Sequence, residues 1–140
     1  IRDQDFDLGY LDLIQQLFPK FSPLTFEGFK KNLRTIQKQN GHIYVIYDSS
    51  INKIIATGKV IIEQKLHGSK IGIVQDVVID KDYQENGLGR QIINQLVNVA
   101  HDFNCYKVIL NCNQENIGFY QKCQFTIKGS EMTLYLHSNF

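Results

Sequence analysis

Gln84-Glu85-Asn86-Gly87-Leu88-Gly89-Arg90 is the stretch on which the reading of this chain turns. It follows a β-branched run that ends near Asp80 and opens a helical pattern at about Gly89. Its two glycines let the backbone turn tightly and bring N–H groups close to a ligand. The first turn of the helix that follows offers unpaired donors and the positive end of a dipole. That combination binds phosphate, and Arg90 adds charge beside it. The stretch lacks the GxxxxGK[ST] of a nucleotide-hydrolysing P-loop and the first glycine of a GxGxxG dinucleotide fingerprint. Read alone, it is equally well an Asn-Gly turn ahead of a helix.

Downstream, Leu88, Ile92, Leu96, Val99, Ala100 and Phe103 recur at helical spacing, and Asn104 suits a left-handed cap. Tyr106 to Leu110 reads as a short buried strand, Glu115 to Cys123 as a short helix, and Phe125 to Leu136 as strand-rich to the end. Upstream, His42 to Tyr47, Lys53 to Glu63 and Lys70 to Asp80 are rich in Ile and Val. Asp48-Ser49-Ser50 and His67-Gly68-Ser69 separate them as turns, which predicts an antiparallel meander. Phe6, Tyr10, Leu13, Ile14, Leu17 and Phe18 mark one helical face ahead of Pro19 and Pro23. Thr25 then caps a second helix carrying Phe26, Phe29, Leu33 and Ile36, with Gly41 as its stop. Strands that come first and then alternate with helices predict an α+β domain with a mixed sheet.

The 140 residues, 43% hydrophobic and 21% charged, suit one globular N-to-C domain over 1–140. A formal charge of +1 excludes the strong positive field of a nucleic-acid binder or a polybasic membrane anchor. No uncharged apolar run approaches the roughly 18 residues of a membrane span, and no signal-like apolar stretch opens the chain. The start at Ile1 predicts that the native N-terminus lies upstream. Cys105, Cys112 and Cys123, an odd number without CxxC spacing, read as reduced thiols of a cytoplasmic protein. The four histidines show no metal-ligand spacing, so no metal is expected.

With these elements in place, the glycine stretch resembles the (Q/R)xxGxG/A pyrophosphate loop of the GNAT family of acetyl-CoA-dependent N-acetyltransferases. The likeness runs from about Asp5 to Leu136. It takes in Ile61-Ile62-Glu63, Asp76-Val77-Val78-Ile79, Tyr83-Gln84, Cys105-Tyr106-Lys107-Val108-Ile109-Leu110, Glu115-Asn116, Phe119-Tyr120 and Lys122-Cys123. In that order and spacing the chain is similar to the glucosamine 6-phosphate N-acetyltransferase branch of the family.

The resemblance implies a mostly antiparallel mixed sheet, flanked by helices and splayed between two parallel strands, with acetyl-CoA wedged into the gap. The backbone of Val77, Val78 and Ile79 would pair with the pantetheine arm. Gln84, Glu85, Asn86, Gly87, Leu88, Gly89 and Arg90 would carry the pyrophosphate, and Asn111, Asn116 and Tyr120 would complete the cofactor side. The implied chemistry is direct attack of an amine on the thioester. A backbone N–H near Val77 would stabilise the oxyanion, Tyr120 would serve the leaving thiolate, and Asp76 and Asn111 would stand at the amine. Without the family, Tyr120 reads as a core aromatic. Cys112 and Cys123 read as small buried hydrophobes rather than acyl-enzyme nucleophiles. The implied acceptor is glucosamine 6-phosphate, contacted by Lys65, His67, Gln75, Asp76, Tyr106, Lys107 and Tyr135, with the product feeding UDP-N-acetylglucosamine synthesis. A homodimer sharing its C-terminal strands is implied as well.

The departures from the family cluster on the acceptor side. Gln75 stands where the family usually has Glu, Asn111 where it usually has an acid, and Phe18 where it often has Thr. Thr133-Leu134-Tyr135 carries no basic phosphate partner. An amide holds an ammonium less well than a carboxylate, so the acceptor could equally be another small amine or a peptide amine. A third reading is a regulator that binds acyl-CoA without turnover.

Overall fold

The computed structural model describes residues 1–137. At its centre, β1 (Gly41–Asp48), β2 (Lys53–Gln64) and β3 (Lys70–Ile79) form the predicted antiparallel meander. β4 (Lys107–Leu110) joins β3 in parallel, giving the sheet order β1-β2-β3-β4. Polar residues build the turns. Asp48 Oδ1 accepts from the Ser50 N–H at 2.9 Å, and Gly68, at φ +100°, lies in a hairpin closed by a 2.8 Å bond from Lys65 N–H to Ser69 O.

Helices cover both faces of the sheet. α3 (Leu88–Asp102) lays Ile92, Ile93, Leu96, Val99 and Ala100 against Ala56, Val60 and Ile62 of β2 and Val74 of β3. α1 (Tyr10–Gln15) and α2 (Phe26–Lys38) pack Tyr10, Leu13, Phe29 and Leu33 around Ile54. Along β1, Tyr44 and Ile46 go to the first cluster and Ile43 and Val45 to the second. β3 likewise sends Val77 and Ile79 one way and Val78 the other. Side chains alternate across a strand, so the two clusters lie on opposite faces. Each large side chain so buried contributes about 1.5–3 kcal/mol before its ordering cost is counted. The approach of α3 is closest at Gly58 in β2, where a Cβ would meet Ile92 Cγ2 at 2.6 Å.

The apolar series from Phe6 to Phe18 is not one helix. Gly9 takes φ +82°, so a 3₁₀ segment over Asp3–Leu8 stops there and α1 starts afresh at Tyr10. A left-handed residue cannot continue a right-handed helix. Leu17 and Phe18 consequently fall beyond α1 and are partly exposed. Thr25 does cap α2, its Oγ1 accepting from the Gly28 N–H at 3.1 Å. The left-handed residue after α2 is Asn40, while Gly41 opens β1. Asn104 takes the left-handed conformation predicted for it. The helix expected over Glu115 to Cys123 divides into a 3₁₀ turn at Gln114–Asn116 and α4 (Ile117–Lys122).

β4 is not a buried strand. Tyr106 lies outside it and is 61% exposed, because β4 is the edge of the sheet. Nor does Phe125 to Leu136 add a strand: among the described residues none follows β4, and Met132, Leu134, Tyr135 and Leu136 are exposed. β-propensity is realised only where a neighbouring strand takes up the hydrogen bonds, and this chain alone brings no neighbour to that segment.

Candidate active site

β3 and β4 pair only from Ile71 opposite Lys107 to Val74 opposite Leu110; beyond that the two strands part. Immediately after Gln75, the register between β2 and β3 slips. Thr57 faces Val78 and Lys59 faces Gln75, which leaves Asp76 and Val77 opposite Gly58 alone. This is a β-bulge, and Asp76 at its head takes φ 55°. Aspartate is among the few residues that visit this conformation, and a bulge re-aims the backbone it distorts.

The parting strands open a cleft of about 620 Å³. β3 lines it with Gln75, Asp76 and Val77, and the chain after β4 lines it with Asn111, Cys112 and Asn113. Asn116 and Tyr120 enter from the α4 side. Leu17, Phe18, Lys59 and Glu131 line it too, along with Ile73, Val74, Ile109 and Leu110 of the two strands. Tyr120 is half-buried, with the rings of Phe119 and Phe125 at centroid distances of 5.0 and 6.0 Å. Burial first, then the thiols Cys112 and Cys123, push its phenol above the ordinary value of 10. The hydroxyl therefore keeps its proton at neutral pH and can donate it.

Lys59 Nζ lies 3.1 Å from Asp76 Oδ2, and the two side chains are only 15% and 30% exposed. The expectation from sequence left Lys59 out. Its signal was a lone cation inside the apolar run of β2, where a charge needs a partner. Glu131, Asn113 and the cleft position of Cys112 were also missed. Cys112 is exposed rather than a small buried hydrophobe, because the chain after β4 leaves the sheet. Cys105 and Cys123 are half-buried, and burial raises both thiols above their usual range, which disfavours the nucleophilic thiolate.

The glycine stretch runs from the loop after β3 into the first turn of α3. Glu85 and Gly87 are both left-handed, at φ 71° and 77°. Asn86 Nδ2 donates to Tyr83 O at 3.2 Å, and the Tyr83 hydroxyl donates to Asp48 Oδ2 at 3.2 Å, so the loop is tied to the β1–β2 hairpin. Gln84 Nε2 reaches Ile79 O at 3.4 Å. No side chain caps α3, and its first turn holds no acid. A Cβ on Gly87 would meet nothing within 4 Å. Free donors, open space and the helix dipole together fit the phosphates of a nucleotide-bearing ligand. Arg90 is partly engaged: one Nη donates to Lys122 O at 3.4 Å and links the start of α3 to the end of α4.

On the acceptor side, Gln75, Asp76 and Asn111 stand together in the cleft, but the other predicted residues do not join them. Lys65 is paired with Glu63 at 3.0 Å beside the β2–β3 turn, and His67 Nδ1 lies 3.1 Å from Ser69 Oγ. Lys107 is exposed and sits 5.4 Å from the ring centroid of the exposed Tyr106. Tyr135 projects from the C-terminal segment. None of these five lines the cleft of their own chain. Among the described residues no group of His, Cys, Asp or Glu side chains is placed to hold a metal ion, and no helix is long and apolar enough to cross a membrane.

Residues 10–125 match the sequence profile of the acetyltransferase (GNAT) family. Glucosamine 6-phosphate N-acetyltransferase 1 of Dictyostelium discoideum is 38% identical over 136 residues, which cover 94% of this chain and 85% of that protein. Glucosamine 6-phosphate N-acetyltransferase 1 of Oryza sativa is 36% identical over 94% of this chain and 81% of its own. The crystal structure of glucosamine-6-phosphate N-acetyltransferase from Arabidopsis thaliana superposes with a TM-score of 0.93 at 33% identity, covering 98% of this chain and 95% of that one.

Proposed function

The chain belongs to the acetyltransferase (GNAT) family, and we propose that it transfers the acetyl group of acetyl-CoA to the amine of glucosamine 6-phosphate. One observation carries the mechanism: β3 and β4 part at Val74 and Leu110, at the bulge of Asp76 and Val77 and beside Tyr120. Acetyl-CoA supplies an activated thioester, and the chain's own groups position it and receive its charge.

The backbone of Val77, Val78 and Ile79 holds the pantetheine arm as an added strand would, and the uncapped first turn of α3 with Gly87 and Gly89 takes the pyrophosphate. The Val77 N–H, re-aimed by the bulge, donates to the oxygen on which charge develops as the amine attacks. Tyr120 donates its proton to the departing sulfur, a role supported by its place in the cleft and its raised pKa. Asn111 and Asn116 offer amide contacts from the opposite wall.

The five predicted acceptor contacts that stand away from the cleft suit a homodimer. In that reading the exposed apolar segment around Met132, Leu134 and Leu136 crosses to the partner and carries Tyr135 with it. A cytoplasmic setting is part of the same reading, supported by three free thiols.

Release of CoA thiol from acetyl-CoA, followed with glucosamine 6-phosphate, glucosamine, and a panel of small amines and peptides, tests the proposal. Preference for the phosphorylated sugar is the expected result. Release only with another amine moves the acceptor, and CoA binding without release to any amine favours a regulatory domain.

A further inference from the structure

The charged side chains lining the cleft are Lys59 from β2, Asp76 from β3 and Glu131 from the C-terminal segment. The other ionisable lining groups, Tyr120 and Cys112, are neutral when protonated, and Gln75, Asn111, Asn113 and Asn116 are amides. Lys59 and Asp76 are already a pair at 3.1 Å, both side chains partly buried. The Lys59 ammonium, 15% exposed, therefore offsets the Asp76 charge that an incoming cation would meet. Glu131, by contrast, enters no ion pair among the described residues and is exposed to the cleft.

We infer that Glu131 is the specificity-determining carboxylate of this cleft: it holds the acceptor's ammonium, while Lys59 cancels the charge of Asp76. This rests on the acceptor reading above. The chemistry is a difference between two carboxylates in one cavity. An incoming ammonium meets the full charge of a carboxylate that has no counter-ion, and a weaker net field from one whose charge a lysine 3.1 Å away already offsets. Glu131 also lies outside the sheet, on the segment after α4, so replacing it leaves the bulge at Asp76 in place.

The test compares binding of glucosamine 6-phosphate with glucose 6-phosphate, which carries a hydroxyl where the other has its amine. Titrations are run calorimetrically on the full chain saturated with CoA, at about pH 6, where an amine is protonated. The wild type is expected to prefer the amino sugar by about tenfold or more, the scale of one charge-assisted hydrogen bond. Glu131→Gln should bring that ratio close to one, the loss of affinity falling on the amino sugar. Adding Lys59→Met to Glu131→Gln should restore the preference, because it releases Asp76; a merely structural role for Glu131 predicts no such rescue. A wild type that prefers the amino sugar, with a Glu131→Gln variant that prefers it equally, overturns the role of Glu131 alone. A wild type that binds neither sugar phosphate overturns the acceptor reading and this inference with it.

Discussion

Lys53 Nζ and Asp80 Oδ2 stand 3.1 Å apart, and Asp80, 3% exposed, is the first residue after β3 on the way to the glycine loop. The other carboxylate oxygen of Asp80 accepts from the Asp82 N–H at 3.0 Å. The pair thus pins the base of the loop to the start of β2, and the Tyr83–Asp48 bond pins the next residues to the end of β1.

The Asp82 backbone N–H and then Lys53 hold the Asp80 carboxyl below its ordinary value of 3.8. A group whose pKa is lower in the folded state stabilises the fold above its unfolded pKa and loses that contribution as pH falls through the folded one. Asp80→Asn should therefore cost about 1–3 kcal/mol at neutral pH, and the gap from wild type should close in acid. Urea unfolding at a series of pH values measures both.

Gly58→Ala should destabilise by about 1–3 kcal/mol, the range of overpacked cores. Its Cβ would stand 2.6 Å from Ile92 Cγ2 and 2.9 Å from Leu96 Cδ1, at the one β2 residue facing the bulge. A lowered Tm by calorimetry, with the amine KM disturbed as well, is the expected outcome.

Gly87→Ala separates strain from clash. The position is left-handed at φ 77° with nothing within 4 Å of a Cβ, so the fold should lose only about 1–2 kcal/mol. If this loop takes the pyrophosphate as proposed, the added methyl should raise KM for acetyl-CoA while KM for the sugar stays put. Initial-rate kinetics with each substrate varied checks the split.

Tyr120→Phe should lower kcat by about 10²-fold with little change in either KM, because the proton proposed to come from it is needed only as the thiolate departs. With its pKa above 10, the wild-type phenol should impose no alkaline loss of kcat below that pH. A kcat unchanged in the variant, with chemistry shown to limit the rate, removes the role.

Leu134→Asp with Leu136→Asp should convert a dimer to a monomer without unfolding it, since the two side chains are 84% and 80% exposed in the single chain. Sedimentation velocity reads the mass, and circular dichroism reads the fold. A chain that is monomeric before the change refutes the shared-strand arrangement.

Much of the molecule was legible in order of residues alone. The periods of two and of three to four placed three strands and the stripe of α3, because those patterns report which face of a local element leaves water. The paired glycines at the start of α3 marked a turn with free donors, a property of backbone conformation that neighbours do not alter. Thr25 and Asn104 announced helix ends for the same local reason. What tertiary structure decided were the relations between elements far apart in the chain. The slip that sets Asp76 and Val77 against Gly58 exists only once β2 and β3 are in register, and the cleft only once β4 parts from β3. Lys59 became the partner of Asp76, and Glu131 a lining group, through packing that no local period encodes. The strand predicted over Phe125 to Leu136 failed for a related reason. A strand is a property of a pair, and residue propensity names only half of it.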